Sequence, residues 1–105
     1  PYTLIRTFEA NPAILQFEFP SPRTIRGLSV IIGSTQVEVS AFVHPDLDAD
    51  PVEFTSTFQG SLEHPQVEFI FDRVIQARIL RLEIRDLHQA EPGNVHIWEI
   101  QLLPG

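Results

Sequence analysis

Proline and glycine break this chain into short segments, and this punctuation limits the folds open to it. Nine prolines and five glycines occur in 105 residues, with clusters at Pro20-Ser21-Pro22 and Pro92-Gly93. The runs between the breaks are about 6 to 9 residues long and rich in Val, Ile, Phe and Thr, and most of them alternate apolar with polar side chains. A period of two is typical of a strand with one buried face. The sequence therefore predicts an all-β chain without helices.

Seven strands are predicted, and a short eighth candidate lies at Tyr2 to Arg6. The seven are Ala13 to Phe19, Thr24 to Ile32, Gln36 to Val43, Val52 to Gln59, Gln66 to Phe71, Ala77 to Arg85 and Val95 to Leu103. Thr24 to Ile32 is apolar on both faces, with Leu28 on one and Ile25 on the other, so we expect it to be central. This number of short strands favours two packed antiparallel sheets.

Length and charge exclude several classes of protein. We expect one domain over residues 1–105, excised from a larger protein because it begins Pro1-Tyr2-Thr3 without Met. The net charge is −7 and all seven basic residues are Arg, which argues against a nucleic-acid partner. The chain has no Cys, and its longest apolar run, Leu28 to Ile32, is too short to insert into a membrane. No cofactor is indicated.

Asp46, Asp48 and Asp50 place carboxylates at alternate positions, the opening spacing of a calcium loop. Pro51 and Thr57 then stand where an EF-hand requires Gly and Glu. These aspartates are therefore weak metal candidates. A solvated turn, in which Asp bonds its own backbone, is the favoured interpretation, and no metal is assigned.

The candidate ligand-binding residues are Arg78, Arg81, His96 and Trp98, which lie on the last two predicted strands. An aromatic ring suits the C–H face of a sugar, and Arg and His suit its hydroxyls. The alternative is structural, because a single Trp and a His on one strand face are typical of a packed core. No nucleophile motif or phosphate loop occurs, so no catalytic residue is assigned and we expect no enzyme.

Two stretches resemble the discoidin, or coagulation-factor type C, family. They are Phe71-Asp72 with Ala77 to Ile84, and Val95 to Ile100; Leu15 to Phe19 and Val37 to Ser40 also match short strand patterns of that family. The resemblance implies a galactose-binding-like jelly roll of about seven or eight strands. It also implies a module that docks a carbohydrate, a lipid headgroup or a protein through loops at one end.

The sequence departs from the discoidin pattern at Leu15, where that family has Trp, and it lacks the family's N-terminal stretch. A calcium site inherited from the family is therefore not expected. The segment from Leu4 through Ile100 is also similar to C-terminal domains of bacterial membrane glycosyltransferases, in which a β-domain lies outside the cytoplasm.

We therefore expect a non-catalytic carbohydrate-binding accessory module of a larger, membrane-anchored protein of the cell envelope. Its location would be the extracytoplasmic face of the membrane or the cell surface. Its partners would be a glycan and the rest of its own membrane protein. The alternative is a structural or protein-docking domain of a membrane glycosyltransferase with no ligand of its own.

Overall fold

A computed structural model describes residues 2–5, 8–10, 12–32, 36–87, 95–97 and 99–105. For residues 2, 5, 8–10, 95 and 96 only the backbone is described, not the side chain. The described part of the chain contains eight strands and no helix, so no segment of it forms a helix long and apolar enough to cross a membrane. The strands are β1 Tyr2–Ile5, β2 Phe8–Ala10, β3 Ala13–Ile31, β4 Gln36–His44, β5 Val52–Gln59, β6 Gln66–Asp86, β7 Val95–Ile97 and β8 Glu99–Pro104. All pairings between them are antiparallel.

Two long strands, β3 and β6, organise the fold because each runs through both halves of one six-stranded hydrogen-bonded sheet, of order β1-β8-β3-β6-β4-β5, which folds over into a sandwich. Residues 13–18 of β3 pair with 79–84 of β6, which continues into β4 and then β5; we call this the front sheet. Residues 25–31 of β3 pair with 66–75 of β6 and with β8, which continues into β1; we call this the back sheet. A separate two-stranded sheet joins β2 and β7. The predicted antiparallel β-sandwich is confirmed.

The strands differ from the prediction chiefly in how they are joined and divided, and β2 was not predicted. Two pairs of predicted strands are continuous, as β3 and as β6, whereas Val95 to Leu103 is divided between β7 and β8 in different sheets. The pairing of β3 with β6 breaks between Glu18 and Arg23, where Pro20 and Pro22 lack the N–H that a ladder requires. The predicted strand break is thus a bend between sheets rather than the end of a strand.

The core lies between the two sheets. Val37, Val39, Ala41 and Val43 of β4 are fully buried, as are Leu80, Leu82 and Ile84 of β6. The back sheet contributes Leu28 and Val30 from β3 and Ile100 from β8, all at 0% exposure. As expected, this part of β3 is central, because it pairs with β6 on one side and with β8 on the other.

Ile25 was predicted on the face opposite Leu28, and this is wrong. Both side chains are buried in the core, at 1% and 0% exposure. The register of β3 shifts between Ile25 and Gly27 against both neighbouring strands, and one irregular residue reverses the alternation. A regular alternation cannot reveal such a shift, because the shift depends on the partner strands.

Candidate functional site

A row of four side chains crosses the outer face of the front sheet. Glu53 of β5 lies opposite Phe42 of β4, Phe42 lies opposite Arg81 of β6, and Arg81 lies opposite Gln16 of β3. Neighbouring strands are about 4.8 Å apart, so the row extends over about 14 Å. Residues far apart in sequence thus form one continuous surface, which we call the front row.

The alternation of the strands directs this row away from the core. Ala41 and Val43, on either side of Phe42, are at 0% exposure, as are Leu80 and Leu82 on either side of Arg81. Phe42 is therefore forced outward, where it is half-buried by its neighbours. Phe42 was not among the candidate residues chosen from the sequence, although an aromatic side chain on the polar face of a strand is a detectable signal.

Arg81 covers the ring of Phe42. Its guanidinium carbon lies 5.9 Å from the ring centroid, within the range of a cation–π contact. Its Nη2 lies 3.6 Å from Oε2 of Glu83, and the Arg81 side chain remains 45% exposed. The guanidinium is thus oriented by a ring and a carboxylate, while its other donors face solvent.

Hydroxyl and carboxylate groups lie beside the front row. The hydroxyls of Ser40 and Thr55 are 3.1 Å apart, and the Thr55 hydroxyl donates to Oε1 of Glu53 at 3.2 Å. Glu83 lies opposite Ser40 in the adjacent strand. The surface around Phe42 therefore offers donors and acceptors within a short distance, all on strands.

Carboxylates outnumber guanidinium groups on this face. The outer positions of the described front-sheet strands carry Glu18, Glu38, Glu53 and Glu83 together with Arg81 and Arg85. The face is polar and carries a net negative charge. It suits a ligand rich in hydroxyl groups better than an anionic one.

Arg78 and Arg81, the two predicted arginines, both lie on β6. Ala77 and Leu80 are both fully buried although they are three positions apart, so the alternation of buried and exposed residues is interrupted between them. Arg78 and Ile79, in between, are half-buried and lie outside the core. This slip lies opposite the break between Glu18 and Arg23 in β3. The irregularity makes Arg78 part of the end of the front sheet rather than of its regular face.

His96 and Trp98 cannot be joined to these arginines from the described residues. The backbone of His96 lies in β7, opposite Glu9 of β2, and its side chain lies outside the described residues. Trp98 lies outside them altogether. A ligand site containing His96, Trp98 and the two arginines stays a prediction.

Asp46, Asp48 and Asp50 lie in the turn between β4 and β5. Oδ1 of Asp46 accepts a hydrogen bond from the backbone N–H of Asp48 at 2.9 Å, which is the local turn that the sequence favoured. The Nδ1–H of His44 donates a hydrogen bond to the carbonyl oxygen of Ala49, also at 2.9 Å. No group of three or more possible metal ligands occurs among the residues that the structure describes.

Neither a protein-family model nor a curated protein matches this chain. A solved structure described as the CBM32 of AlyQ in complex with 4,5-unsaturated mannuronic acid matches with a TM-score of 0.64 and 16% sequence identity. The match covers 92% of this chain and 74% of the other. At this identity the likeness concerns the fold alone, and it shows that the chain adopts the same antiparallel β-sandwich fold as that structure.

Proposed function

We propose that this domain is a non-catalytic carbohydrate-binding module and that a glycan lies along the front row. The observation that carries the proposal is the pair formed by Phe42 and Arg81 at the centre of an open, polar sheet face. The fold adds support, because a carbohydrate-binding module with the same fold holds a sugar.

Each member of the row has a role that its chemistry suits. Phe42 supplies an apolar ring for the C–H face of a sugar, and the guanidinium of Arg81 supplies fixed N–H donors beside it. Gln16 supplies a donor and an acceptor from β3, and Glu53 accepts from β5. Because all four are on strands, their backbones are already ordered, and ligand binding costs only side-chain entropy there.

The charge of the face favours an uncharged glycan. Glu83 lies beside Arg81 and Glu53 lies two strands away, beyond Phe42, and both carboxylates weaken the attraction of Arg81 for a carboxylate ligand. The solved structure with the same fold was obtained with a uronic acid, so this domain would differ from it in ligand charge. Neutral oligosaccharides should therefore bind more tightly than uronate oligosaccharides of the same length.

Titration of the domain with neutral and uronate oligosaccharides, followed by NMR and calorimetry, tests the proposal. Neutral ligands should shift the resonances of Gln16, Phe42 and Arg81, and Arg81→Ala or Phe42→Ala should weaken binding by tenfold or more, on the order of 1.4 kcal/mol. Arg26→Ala is the matched control, because Arg26 is an exposed arginine in the back-sheet part of β3. Full binding by both front-row variants would overturn the assignment of the ligand to this face.

The same titration examines the sequence-predicted residues. His96→Ala and Trp98→Ala should weaken binding if the ligand also reaches the end of the sandwich at β7, and Arg78→Ala should do so if it passes the end of the front sheet. Unchanged affinity in these three variants, with loss in Arg81→Ala, would confine the ligand to the front row.

We also propose that the module belongs to a larger, membrane-anchored envelope protein and acts outside the cytoplasm, as the sequence resemblances imply. Protease protection of the full-length protein in intact cells tests the location. In the alternative, a docking domain, no oligosaccharide shifts any resonance, and deletion of the domain impairs assembly of the parent protein.

A further inference from the structure

Strand β5 is the outermost strand of the front sheet. It pairs with β4 over all eight residues without a shift of register, and no other described strand is hydrogen-bonded to it. Every second residue of such a strand directs its backbone N–H and C=O groups away from the sheet. The outer side of β5 is therefore a regular ladder of backbone donors and acceptors.

β5 lacks the devices that natural edge strands use against pairing. Between Val52 and Gln59 there is no Lys, Arg or Pro, the register contains no bulge, and the one charged residue is Glu53. Its composition of Val, Phe and Thr has high strand propensity. By these criteria the edge is suited to accept a further strand.

The central five residues of β5 have a symmetric sequence, which favours a second copy of β5 as the added strand. Phe54-Thr55-Ser56-Thr57-Phe58 reads the same in both directions. In an antiparallel pair with a two-fold axis at Ser56, Phe54 lies opposite the partner's Phe58, and Thr55 lies opposite the partner's Thr57. Over these five positions equal residue types face each other, and every contact occurs twice, as in any isologous interface.

This register also satisfies the faces and the charges. In this register, residues that lie opposite each other are an even number of positions apart in the sequence. Core-facing Phe54 and Phe58 therefore lie opposite core-facing residues of the second copy. Glu53 meets the partner's Gln59, so the pairing sets no like charges opposite each other.

Both phenylalanines are already placed at the open side of the sandwich. Phe54 stacks on Phe71 at 4.2 Å, Phe58 contacts Phe69 at 5.4 Å, and the two β5 rings remain half-buried. A second β5 would bring two further rings against them and complete their burial. Apolar burial and new backbone hydrogen bonds would then both stabilise the same interface.

We infer that two copies of this chain associate through β5, antiparallel about Ser56, to form one continuous front sheet. The inference does not rest on glycan binding. If the proposed function holds as well, the two front rows lie on the same continuous sheet face, and a polysaccharide long enough to reach both would bind with avidity.

Two double variants test both the association and its register. Thr55→Lys with Thr57→Lys sets two pairs of like charges opposite each other in the dimer, whereas Thr55→Lys with Thr57→Glu sets Lys opposite Glu at the same positions. Both variants lose the same hydroxyl contacts of Thr55. Within one chain they differ at position 57, which lies opposite Glu38 of β4, so thermal unfolding must first show that both variants are folded.

In sedimentation velocity over a concentration series, the wild-type chain should pass from monomer to dimer. The Lys/Lys variant should dissociate at least about tenfold more easily, and the Lys/Glu variant should remain dimeric. Hydrogen exchange of the wild-type β5 amides, which needs no substitution, should slow as concentration rises. A wild-type chain that is monomeric throughout, exchange independent of concentration, or equal dimerisation by two folded variants would overturn the inference.

Discussion

The rings of Phe54 and Phe71 stack face to face across the sandwich, with centroids 4.2 Å apart and planes inclined by 8°. Phe54 belongs to β5 of the front sheet, and Phe71 belongs to the back-sheet part of β6, between the pairs that Ile70 and Ile75 form with β3. Phe71 also meets Phe69 edge-on at 5.2 Å. The contact between Phe54 and Phe71 joins the two sheets along their open side, where no strand pairing joins them in the described residues.

Removal of the Phe71 ring should therefore destabilise the whole sandwich. Phe71 is 5% exposed, and Phe71→Ala should lower the free energy of unfolding by about 3 kcal/mol in urea denaturation. Phe71→Leu retains most of the apolar volume and should cost less than half as much. Equal losses in the two variants would mean that the ring contact itself contributes little.

A methyl group at position 27 should be poorly tolerated. A Cβ added to Gly27 would clash with the carbonyl oxygen of Phe69, which is backbone in the paired strand. Gly27→Ala should therefore cost about 2 to 3 kcal/mol, because the strands must separate. Arg26→Ala is the exposed neighbour and should change stability by less than about 0.5 kcal/mol. A stable Gly27→Ala domain in thermal unfolding would contradict the close approach of these strands.

The two aspartates of the acidic turn should differ in their effect on stability. Asp46 accepts the backbone N–H of Asp48, so Asp46→Ala should cost about 1 kcal/mol, whereas Asp48→Ala should cost less than about 0.5 kcal/mol. Added calcium should leave the melting temperature of the wild type unchanged. A clear calcium-dependent rise, lost in both variants, would instead assign a metal to this turn.

Other carboxylates on the outer face of the front sheet should affect which glycans bind. Glu18→Gln and Glu38→Gln remove negative charge without removing hydrogen-bonding capacity, so the affinity for uronate oligosaccharides should rise about two- to fivefold at low salt. The affinity for neutral oligosaccharides should stay constant. Calorimetry at low and high salt separates the two effects, and a gain that persists at high salt would argue against an electrostatic origin.

The shape of the Arg81 side chain should matter as well as its charge. Arg81→Lys retains the charge but loses the planar guanidinium over the Phe42 ring, so it should bind neutral glycans about tenfold more weakly than the wild type. Its melting temperature should match the wild-type value, because the side chain is 45% exposed. If Arg81→Lys binds as tightly as the wild type, the charge alone accounts for any role of Arg81.

Local sequence patterns predicted the strand faces well where the ladders are regular. In β4 the alternation identifies Val37, Val39, Ala41 and Val43 as core residues, and each of them is fully buried. The prediction was wrong at Ile25, where the register shifts. The reason is that alternation is a local property, whereas a shift of register depends on the partner strands.

The candidate site was predictable only in part. Arg81 was identified from its strand, but its neighbours Phe42 and Gln16 come from other strands, which the pattern of one strand cannot specify. Phe42 had a detectable signal, since it interrupts the polar face of β4, yet the fold was needed to place it beside Arg81.

The sequence by itself determined that this chain forms strands, which side of most of them is buried, and that its acidic turn bonds to its own backbone. These properties depend on residues close together in the chain. Only the tertiary structure decided that β3 and β6 each run through both the front sheet and the back sheet, and that Glu53, Phe42, Arg81 and Gln16 share one row. Strand order and register follow from pairing over long sequence separations, where the sandwich as a whole minimises exposed apolar surface and unpaired backbone groups.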